Sequence, residues 1–351
     1  MSDRLPHEII TDILSRMPGK SLMRLRCVSK AWCSLISTPN FISTHLSRSL
    51  SNSQHQPCLY ANYGHIGTLL MYPSNQEIEE QKEDFLANPS ERRELYDPSN
   101  NEFELVLVGS SNGLLGLAYK RSKLCVLWNS SIQIAITLPK PNIGFDGSIP
   151  LDHSVGFGYD PTTDDYKFVR LVYSSYRTLR PLVEIYTLRT GIWRSVTAPV
   201  PPCIITEDLS PSVFVNGSLH WSALRAFSFV IMSFNMKDEA FGEVGMPKGF
   251  QGPGDLKVTV ALCDGMLALV IRDGYDGKKT STTVWVMKEY GVAESWTKLF
   301  DLPVGLYSPH SKVIGFTKSG ELLMEKGTRG IRLVVVSSER KAGKGCPEKM
   351  A

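Results

Sequence analysis

The sequence predicts an α+β multidomain protein, in which a short unit of three helices precedes an all-β, propeller-like domain of four-stranded repeats. Two observations predict this class. In the first 48 residues apolar side chains recur at helical spacing, whereas beyond residue 104 they alternate as in strands. Turn signals then recur along the β region at intervals of about 50 residues, which is the period of a repeat architecture.

The first predicted helix lies between two prolines. Pro6 suits the first position of a helix because its missing N–H would have no partner there. Ile9 and Ile13 follow four residues apart on one face, and Pro18-Gly19 is expected to stop the helix after about twelve residues.

Two further short helices are predicted, each capped by a serine. Ser21 is expected to cap the second and Ser29 the third, because a serine hydroxyl accepts a hydrogen bond from an unpaired N–H group of the first turn. Pro39 is expected to end the third helix. The apolar residues of these two helices are Leu22, Leu25, Val28, Trp32, Leu35 and Ile36.

Helices this short do not account for their own stability. Each is at or below the roughly 12–15 residues at which an isolated helix becomes marginal, and a unit of residues 1–48 buries little surface by itself. We therefore expect its apolar surface to be completed by another chain or by the domain that follows. Residues 49–103, which are polar at first and later rich in glutamate, are predicted to be a solvated linker with the first strands and surface loops, the alternative being an acidic binding patch.

A turn signal marks each predicted β unit. The pair Asn216-Gly217 lies between two alternating runs, which is the strongest short-range signal for a hairpin. Comparable signals occur at Asn112-Gly113, Asp164-Asp165, Asp264-Gly265 and Ser319-Gly320. The second residues of the five pairs, taken in chain order, lie 52, 52, 48 and 55 positions apart.

A second apolar run follows each hairpin and leads to a closing segment that ends in proline. These runs begin at Val126, Val183, Ile231 and Val284, and the closing segments end at Pro139, Pro199, Pro247 and Pro303. Each unit is therefore expected to hold two hairpins, or four strands. Because one small sheet cannot bury both of its faces, such units are expected to stack around an axis as propeller blades.

The N-terminal unit resembles the F-box, in the form found in plants. The resemblance is carried, in order and without a gap, by LPHEI (5–9), ILSRMP (13–18), KSL (20–22), LRCVSKAW (25–32), LI (35–36) and the run from Phe41 to His45-Leu46. Gly19 departs from the family, which usually has an apolar residue there. It is expected to loosen the turn between the first two helices without abolishing binding.

This resemblance implies that the unit binds a Skp-type adaptor protein and, through it, the cullin and RING subunits of a ubiquitin ligase. The residues that it assigns to adaptor binding are Leu5, Pro6, Ile9, Ile13, Leu14, Leu22, Leu25, Val28, Trp32, Leu35 and Ile36. About half of them are expected to hold the helices together instead. Trp32 suits both roles, since tryptophan is common in interface anchors and in small cores.

Residues 104–336 resemble the F-box-associated domain of plant F-box proteins, which implies a kelch-like propeller. The matching runs include SSNGLLGL (110–117), GFGYD (156–160), DDYK (164–167), VNGSLHW (215–221) and WVMKEY (285–290). The family continues after residue 336 into an aromatic-Asp turn and a further strand, whereas residues 337–351 are predicted to be a tail. The last strands of the family are therefore expected to be missing, which leaves closure of the ring open.

Little in the residues supports catalysis. GSSNG (109–113) matches the nucleophile elbow of hydrolases, but a strand rather than a helix is predicted after it. The seven histidines and seven cysteines lack metal-binding spacings, and Asp164-Asp165 is interpreted as turn chemistry. We therefore expect no catalytic residue, no cofactor and no metal.

The charge and hydropathy of the sequence limit the classes of partner that can be expected. The net charge of +3, with Lys and Arg spread along the chain, provides no basic stripe for a nucleic acid. No run of eighteen apolar residues and no secretory signal occurs, so no membrane partner is expected and the predicted compartment is the cytoplasm, the nucleus or both.

These interpretations together predict a non-catalytic, substrate-recruiting subunit of a Skp–cullin–F-box ubiquitin ligase, whose β domain binds an unknown target protein. The segments expected to select the target are 140–152, 174–182, 200–211 and 248–256. The alternatives are a binding module outside ubiquitin transfer, and a propeller enzyme or lectin.

Overall fold

The protein is described from a computed structural model. The structure describes residues 6–51, 58–63, 68–73, 93–94, 105–119, 124–129, 131–132, 134–143, 152–173, 180–205, 212–250, 256–273, 281–302, 312–316, 322–326 and 332–336. Residue 5 and the tail 337–351, both named in predictions above, lie outside these ranges. None of the helices in the described ranges has the length and the apolar content needed to cross a bilayer.

Four helices, rather than the predicted three, lie within residues 6–51. They are α1 (His7–Ser15), α2 (Gly19–Leu25), α3 (Lys30–Ile36) and α4 (Pro39–Ser51). The prediction that Pro39 ends the third helix was incomplete, because Pro39 is also the first residue of α4. Proline is favoured at that position, and the Thr38 hydroxyl accepts a hydrogen bond from the Phe41 N–H at 3.3 Å, as an N-cap does.

Two other helix boundaries differ from the prediction, and one agrees with it. Pro6 and Pro18 are the cap residues that precede α1 and α2, and the Pro6 carbonyl accepts from the N–H groups of Ile9 and Ile10. Since α2 begins at Gly19, directly after Pro18, Ser21 lies inside that helix and does not cap it. The predicted cap at Ser29 is confirmed, because its hydroxyl accepts from the Trp32 N–H at 3.1 Å.

Helix α4 closes the helical unit over a small core. Phe41 on α4 is buried together with Leu14, Leu22 and Ile36, so all four helices contribute to this core. Two polar contacts join the second half of α4 to α1 and to the residues just after α1. A His45 ring nitrogen lies 2.9 Å from the Met17 carbonyl oxygen, and the Arg48 guanidinium lies 2.8 Å from Asp12 Oδ1.

The described residues after the helices form six antiparallel sheets, numbered in chain order. Sheet 1 holds β1 (Cys58–Tyr63), β2 (Thr68–Pro73) and β3 (Arg93–Glu94); sheet 2 holds β4 (Leu105–Ser111), β5 (Leu114–Tyr119), β6 (Cys125–Asn129) and β7 (Ile134–Thr137); sheet 3 holds β8 (Asp152–Asp160), β9 (Asp165–Tyr173), β10 (Leu182–Thr187) and β11 (Ile192–Val196). Sheet 4 holds β12 (Ile204–Ile205), β13 (Val213–Val215), β14 (Ser218–Arg225), β15 (Ser228–Asn235) and β16 (Ala240–Val244); sheet 5 holds β17 (Leu256–Cys263), β18 (Met266–Asp273), β19 (Ser281–Met287) and β20 (Trp296–Leu302); sheet 6 holds β21 (Lys312–Phe316), β22 (Leu322–Lys326) and β23 (Arg332–Val336). The predicted four-stranded repeat is thus confirmed in sheets 2, 3 and 5, while β12 and β13 both pair with β14 in sheet 4.

The predicted hairpin turns occur where the turn residues placed them. Asn112-Gly113, Asn216-Gly217 and Asp264-Gly265 each join two paired strands, and both residues of each pair have a positive φ. Such turns match the twist of the flanking strands. Asp164 also has a positive φ and ends the turn between β8 and β9, whereas Asp165 is the first residue of β9. Ser319-Gly320 lies outside the described residues.

The cores of the β domain lie between successive sheets, as stacked blades require. One cluster joins sheets 2 and 3 around Phe157 and Phe168, another joins sheets 3 and 4 around Trp221, and a third joins sheets 4 and 5 around Leu269. A repeated hydrogen bond also joins neighbours. The Trp193 Nε1–H donates to the Pro139 carbonyl, and the Trp296 Nε1–H donates to the Gly245 carbonyl, both at 2.8 Å.

Gly156 allows the close approach of sheets 3 and 4. A Cβ atom at this position would lie 2.5 Å from the Trp221 ring and 2.8 Å from a Leu219 methyl group, both of which are fully buried. We expect Gly156→Ala to lower the free energy of unfolding by about 1–3 kcal/mol, because a packed core has no room for the added methyl. Gly242→Ala is the matched control, since its Cβ would meet only the Ser233 hydroxyl, at 3.1 Å. Urea unfolding monitored by tryptophan fluorescence measures both, and equal effects would contradict this explanation.

Candidate functional site

The residues assigned to adaptor binding fall into three groups in the structure. Leu14, Leu22 and Ile36 are buried in the core of the helical unit. Leu25, Trp32 and Leu35 are partly buried and pack against that core. Pro6, Ile9, Ile13 and Val28 are exposed. Leu5 lies outside the described residues.

Helix α1 separates two apolar stripes that are adjacent in sequence. Leu14 is buried, and Ile10 and Met17 pack against the same core. Ile9 and Ile13, one helical turn apart, face away from it and are 45% and 48% exposed. Because α1 is already anchored by the first stripe, the second stripe is available to another molecule.

Exposed apolar side chains extend beyond α1. Val28, after α2, is 63% exposed, and Ile42, on α4, is 54% exposed. We call Ile9, Ile13, Val28 and Ile42 the exposed apolar set. Sequence reasoning missed Ile42 because it did not predict α4, although Phe41 and His45 on either side belong to the run that resembles the F-box. Contiguous exposed apolar side chains mark interaction surfaces, and Ile9 and Ile13 are neighbours one helical turn apart on α1.

Trp32, Leu25 and Leu35 lie between the core and the surface of the helical unit. The Ser29 cap fixes the start of α3, and Trp32, in its first turn, packs against the core of the helical unit while part of its surface stays accessible. Both roles predicted for Trp32 therefore remain compatible with its position. Leu25 and Leu35 are partly buried in the same way.

The charges of the helical unit favour an acidic partner. Residues 6–51 contain six Lys or Arg and two Asp or Glu, a net charge of +4 in a chain whose total is +3. Asp12 is engaged by Arg48 and Arg16, whose hydrogen bonds hold the pKa of its carboxyl below the usual range. The link between α1 and α4 that Asp12 provides is therefore present above the ordinary pKa of aspartate and is lost in acid. The helical unit that carries the exposed apolar set therefore has a net positive charge.

The motifs that suggested chemistry in the β domain have structural roles. GSSNG (109–113) ends β4 and forms the turn to β5, so a strand follows it and the helix of a nucleophile elbow is missing. Asp165 accepts from the Arg189 N–H at 3.0 Å, which fixes the neighbouring turn. His220 is fully buried, with its ring nitrogens 3.1 Å from the Val213 carbonyl oxygen and 2.8 Å from the Tyr290 hydroxyl, and burial lowers its pKa to about 4. Within the part of the chain that the structure describes, no group of three His, Cys, Asp or Glu residues is placed to hold a metal ion.

The antiparallel strands define two ends of the β domain. In sheet 4, β12 and β13 both pair with β14 and are counted together as the first strand. At one end, the turn end, lie the turns between the first and second strands and between the third and fourth strands of sheets 2 to 5. At the other, the loop end, lie the connections between second and third strands and between successive sheets. The segments predicted to select a target follow β7, β9, β11 and β16 in sequence, and these four strands end at the loop end. The helical unit approaches the turn end, where a Cβ atom on Gly19 would lie 3.4 Å from the Ile132 side chain.

Comparisons with known proteins agree with both halves of this architecture. The model of the F-box domain family matches residues 2–44, and that of the F-box associated beta propeller domain matches residues 42–336. The chain is 32% identical over 308 residues to the F-box/kelch-repeat protein At3g23880 of Arabidopsis thaliana, covering 85% of this chain and 79% of that protein. It is also 31% identical over 319 residues to the F-box protein CPR1 of the same plant, covering 84% of this chain and 72% of that protein. The chain therefore belongs to the family of F-box proteins that carry an F-box-associated β-propeller domain.

Proposed function

We propose that this protein is the substrate-recruiting subunit of a Skp–cullin–F-box ubiquitin ligase in the cytoplasm or nucleus. The observation that carries the proposal is the second apolar stripe on α1. Ile9 and Ile13 stay exposed although the helical unit has its own core, so they are free to bind a second polypeptide. Membership of the F-box family supports a Skp-type adaptor as that polypeptide.

The exposed apolar set and the charge of the unit describe the surface that this adaptor must present. Burying half-exposed isoleucine side chains stabilises a complex through the hydrophobic effect, by up to about 1.5–3 kcal/mol for a fully buried side chain. The surrounding positive charge favours an acidic rim on the adaptor and accelerates association at low salt. We therefore propose an interface with an apolar centre and a charged border.

The proposed mechanism is proximity rather than covalent chemistry. The adaptor links the helical unit to the cullin and RING subunits, and the loop end of the β domain holds the target protein. Holding the target near a ubiquitin-charged enzyme raises the effective concentration of the two reactants. In this mechanism the chain supplies no catalytic residue, and lysines of the target receive ubiquitin from enzymes that the complex recruits.

Reconstitution from purified proteins tests this function. We expect the full chain to form a stable complex with a plant Skp-type adaptor and that complex to bind a cullin–RING pair, as measured by size-exclusion chromatography with light scattering. Ubiquitin should then be transferred within the complex when a ubiquitin-charged conjugating enzyme is added. A complex that binds the adaptor but never recruits the cullin would instead identify a binding module outside ubiquitin transfer. Failure to bind any adaptor would overturn the proposal.

A further inference from the structure

The turn between β14 and β15 differs from the other two-residue hairpin turns in the described residues of sheets 2 to 5. Those turns are Asn112-Gly113, Asn216-Gly217 and Asp264-Gly265, and they use the residues that tolerate a positive φ. The β14–β15 turn is Ala226-Phe227, with φ values of +45° and +69°. A positive φ is unfavourable for alanine and is a genuine outlier for a residue as bulky as phenylalanine.

Phe227 makes little stabilising contact within the chain that could offset this unfavourable backbone conformation. Its side chain is 78% exposed, the largest fraction among the exposed large hydrophobic residues of the described ranges. An exposed ring contributes little to the core and exposes apolar surface to water. Strained backbone that persists without a structural benefit is found at sites of function, and aromatic side chains, phenylalanine among them, are enriched at protein interfaces.

The strands at the base of the turn are fully paired. Strands β14 and β15 pair along their whole length, from Ser218 with Asn235 to Arg225 with Ser228. Arg225, the last residue of β14 before the turn, forms an ion pair with Glu243 on β16. The backbone of so short and fully paired a turn loses little freedom on binding, and such preorganisation increases affinity.

We infer that Phe227 is an anchor by which the loop end binds the target protein, and that the target is a folded protein with an apolar pocket sized for a phenyl ring. A single protruding ring fits a concave surface, whereas an extended peptide offers nothing that can enclose it. One N–H group of the Arg225 guanidinium donates a hydrogen bond to Glu243, and the guanidinium has further N–H groups. We therefore expect carbonyl or carboxylate oxygens at the rim of the target's pocket. This inference rests on the proposed function and names a part of its target-binding surface.

The position of Phe227 is consistent with this role. It lies at the loop end, in a connection between second and third strands, whereas the helical unit approaches the turn end at Ile132. The strands separate the two, so a target bound at Phe227 and an adaptor bound at Ile9 and Ile13 would not compete for the same surface.

The experiment combines a photo-crosslinker with a variant that repairs the turn. In full-length protein bound to its adaptor, p-benzoylphenylalanine in place of Phe227 should crosslink a protein in plant cells whose proteasome is inhibited. That protein is then purified and its Kd is measured for the wild type, for the double variant Ala226→Asn with Phe227→Gly, and for Ile192→Ala. Ile192 is an exposed aliphatic residue on β11 at the turn end and serves as the control.

The double variant should raise the thermal midpoint, because Asn-Gly suits the turn, and should weaken binding at least tenfold. Ile192→Ala should bind as the wild type does. A merely structural role for the turn predicts the reverse, namely a lower midpoint and unchanged binding. If no protein crosslinks, or if the crosslinked protein binds all three forms equally, the inference is wrong. Adaptor binding is measured in parallel, since its retention shows that only this inference, and not the proposed function, has failed.

Discussion

Replacing Ile9 and Ile13 together by alanine should weaken binding of the Skp-type adaptor by about 30- to 1,000-fold. Apolar anchors at the centre of an interface commonly contribute more than about 1–2 kcal/mol each, and about 1.4 kcal/mol corresponds to a tenfold change in Kd. Both side chains are close to half exposed in the unbound chain. Because alanine favours the helix more than isoleucine does, α1 should persist. Isothermal titration calorimetry of the purified full chain with the adaptor measures the effect.

Two further variants separate binding from folding. Leu14→Ala removes a residue of the core, and we expect it to destabilise the helical unit by about 2–5 kcal/mol. It therefore lowers adaptor binding only together with the helical circular dichroism signal. Ile192→Ala removes an exposed aliphatic side chain from the β domain and should change neither property. If Ile9 and Ile13 can both be replaced while the adaptor affinity is unchanged, the exposed stripe of α1 is not the adaptor-binding surface.

The helices show what periodicity can and cannot predict. Spacing identified α1 and its apolar residues, yet the stripes Ile9–Ile13 and Ile10–Leu14 differ by one position and about 100° of rotation. Which stripe faces the core depends on the packing of all four helices, and α4 was not predicted because Pro39 was treated only as a stop signal. The same proline that ends one helix is well suited to begin the next, so a proline alone leaves the choice open.

In the β domain, the residues of the turns could be located from the sequence, whereas the burial of individual side chains could not. The pairs Asn112-Gly113, Asn216-Gly217 and Asp264-Gly265 located their turns because the positive φ they permit is a property of the residues themselves. Phe227 gave no such signal, since an Ala-Phe pair is not a turn sequence and is recognised only once its backbone is known. Lys167 is a further example. It was noted only as part of a family motif, and its burial follows from two turns that are about 70 residues apart in the chain.

A buried ion network joins sheets 3 and 4 at the turn end. Lys167 Nζ lies 2.7 Å from Asp160 Oδ2, 2.8 Å from the Met236 carbonyl and 3.1 Å from Glu239 Oε1. Lys167 and Asp160 are almost completely buried. Asp160 also accepts hydrogen bonds from the Thr162 and Thr163 hydroxyls. All three donors of the lysine are thereby used, which is the condition under which a buried charge is tolerated.

Lys167→Met should lower the free energy of unfolding by about 3–5 kcal/mol, because it leaves the Asp160 carboxylate buried without its cation. Methionine matches the length of the lysine stem, so the loss reports the charge rather than a cavity. Arg194→Ala is the control, since Arg194 pairs with the same Glu239 but its side chain is 44% exposed. An exposed pair of this kind contributes less than about 1 kcal/mol. Urea unfolding monitored by tryptophan fluorescence at pH 7 measures both variants.

The pH dependence distinguishes a lost ion pair from lost packing. Burial alone would raise the pKa of Asp160, but the hydrogen bonds from Lys167, Thr162 and Thr163 hold it far below its usual range. In the wild type the stability that this carboxylate contributes is therefore present above about pH 4, the ordinary pKa of aspartate, and is lost as the pH falls further. Without Lys167 the pKa of Asp160 rises, and protonation in mild acid relieves the unpaired charge. The difference between wild type and Lys167→Met should accordingly shrink between pH 7 and pH 4, whereas a difference that stays constant would assign the loss to packing.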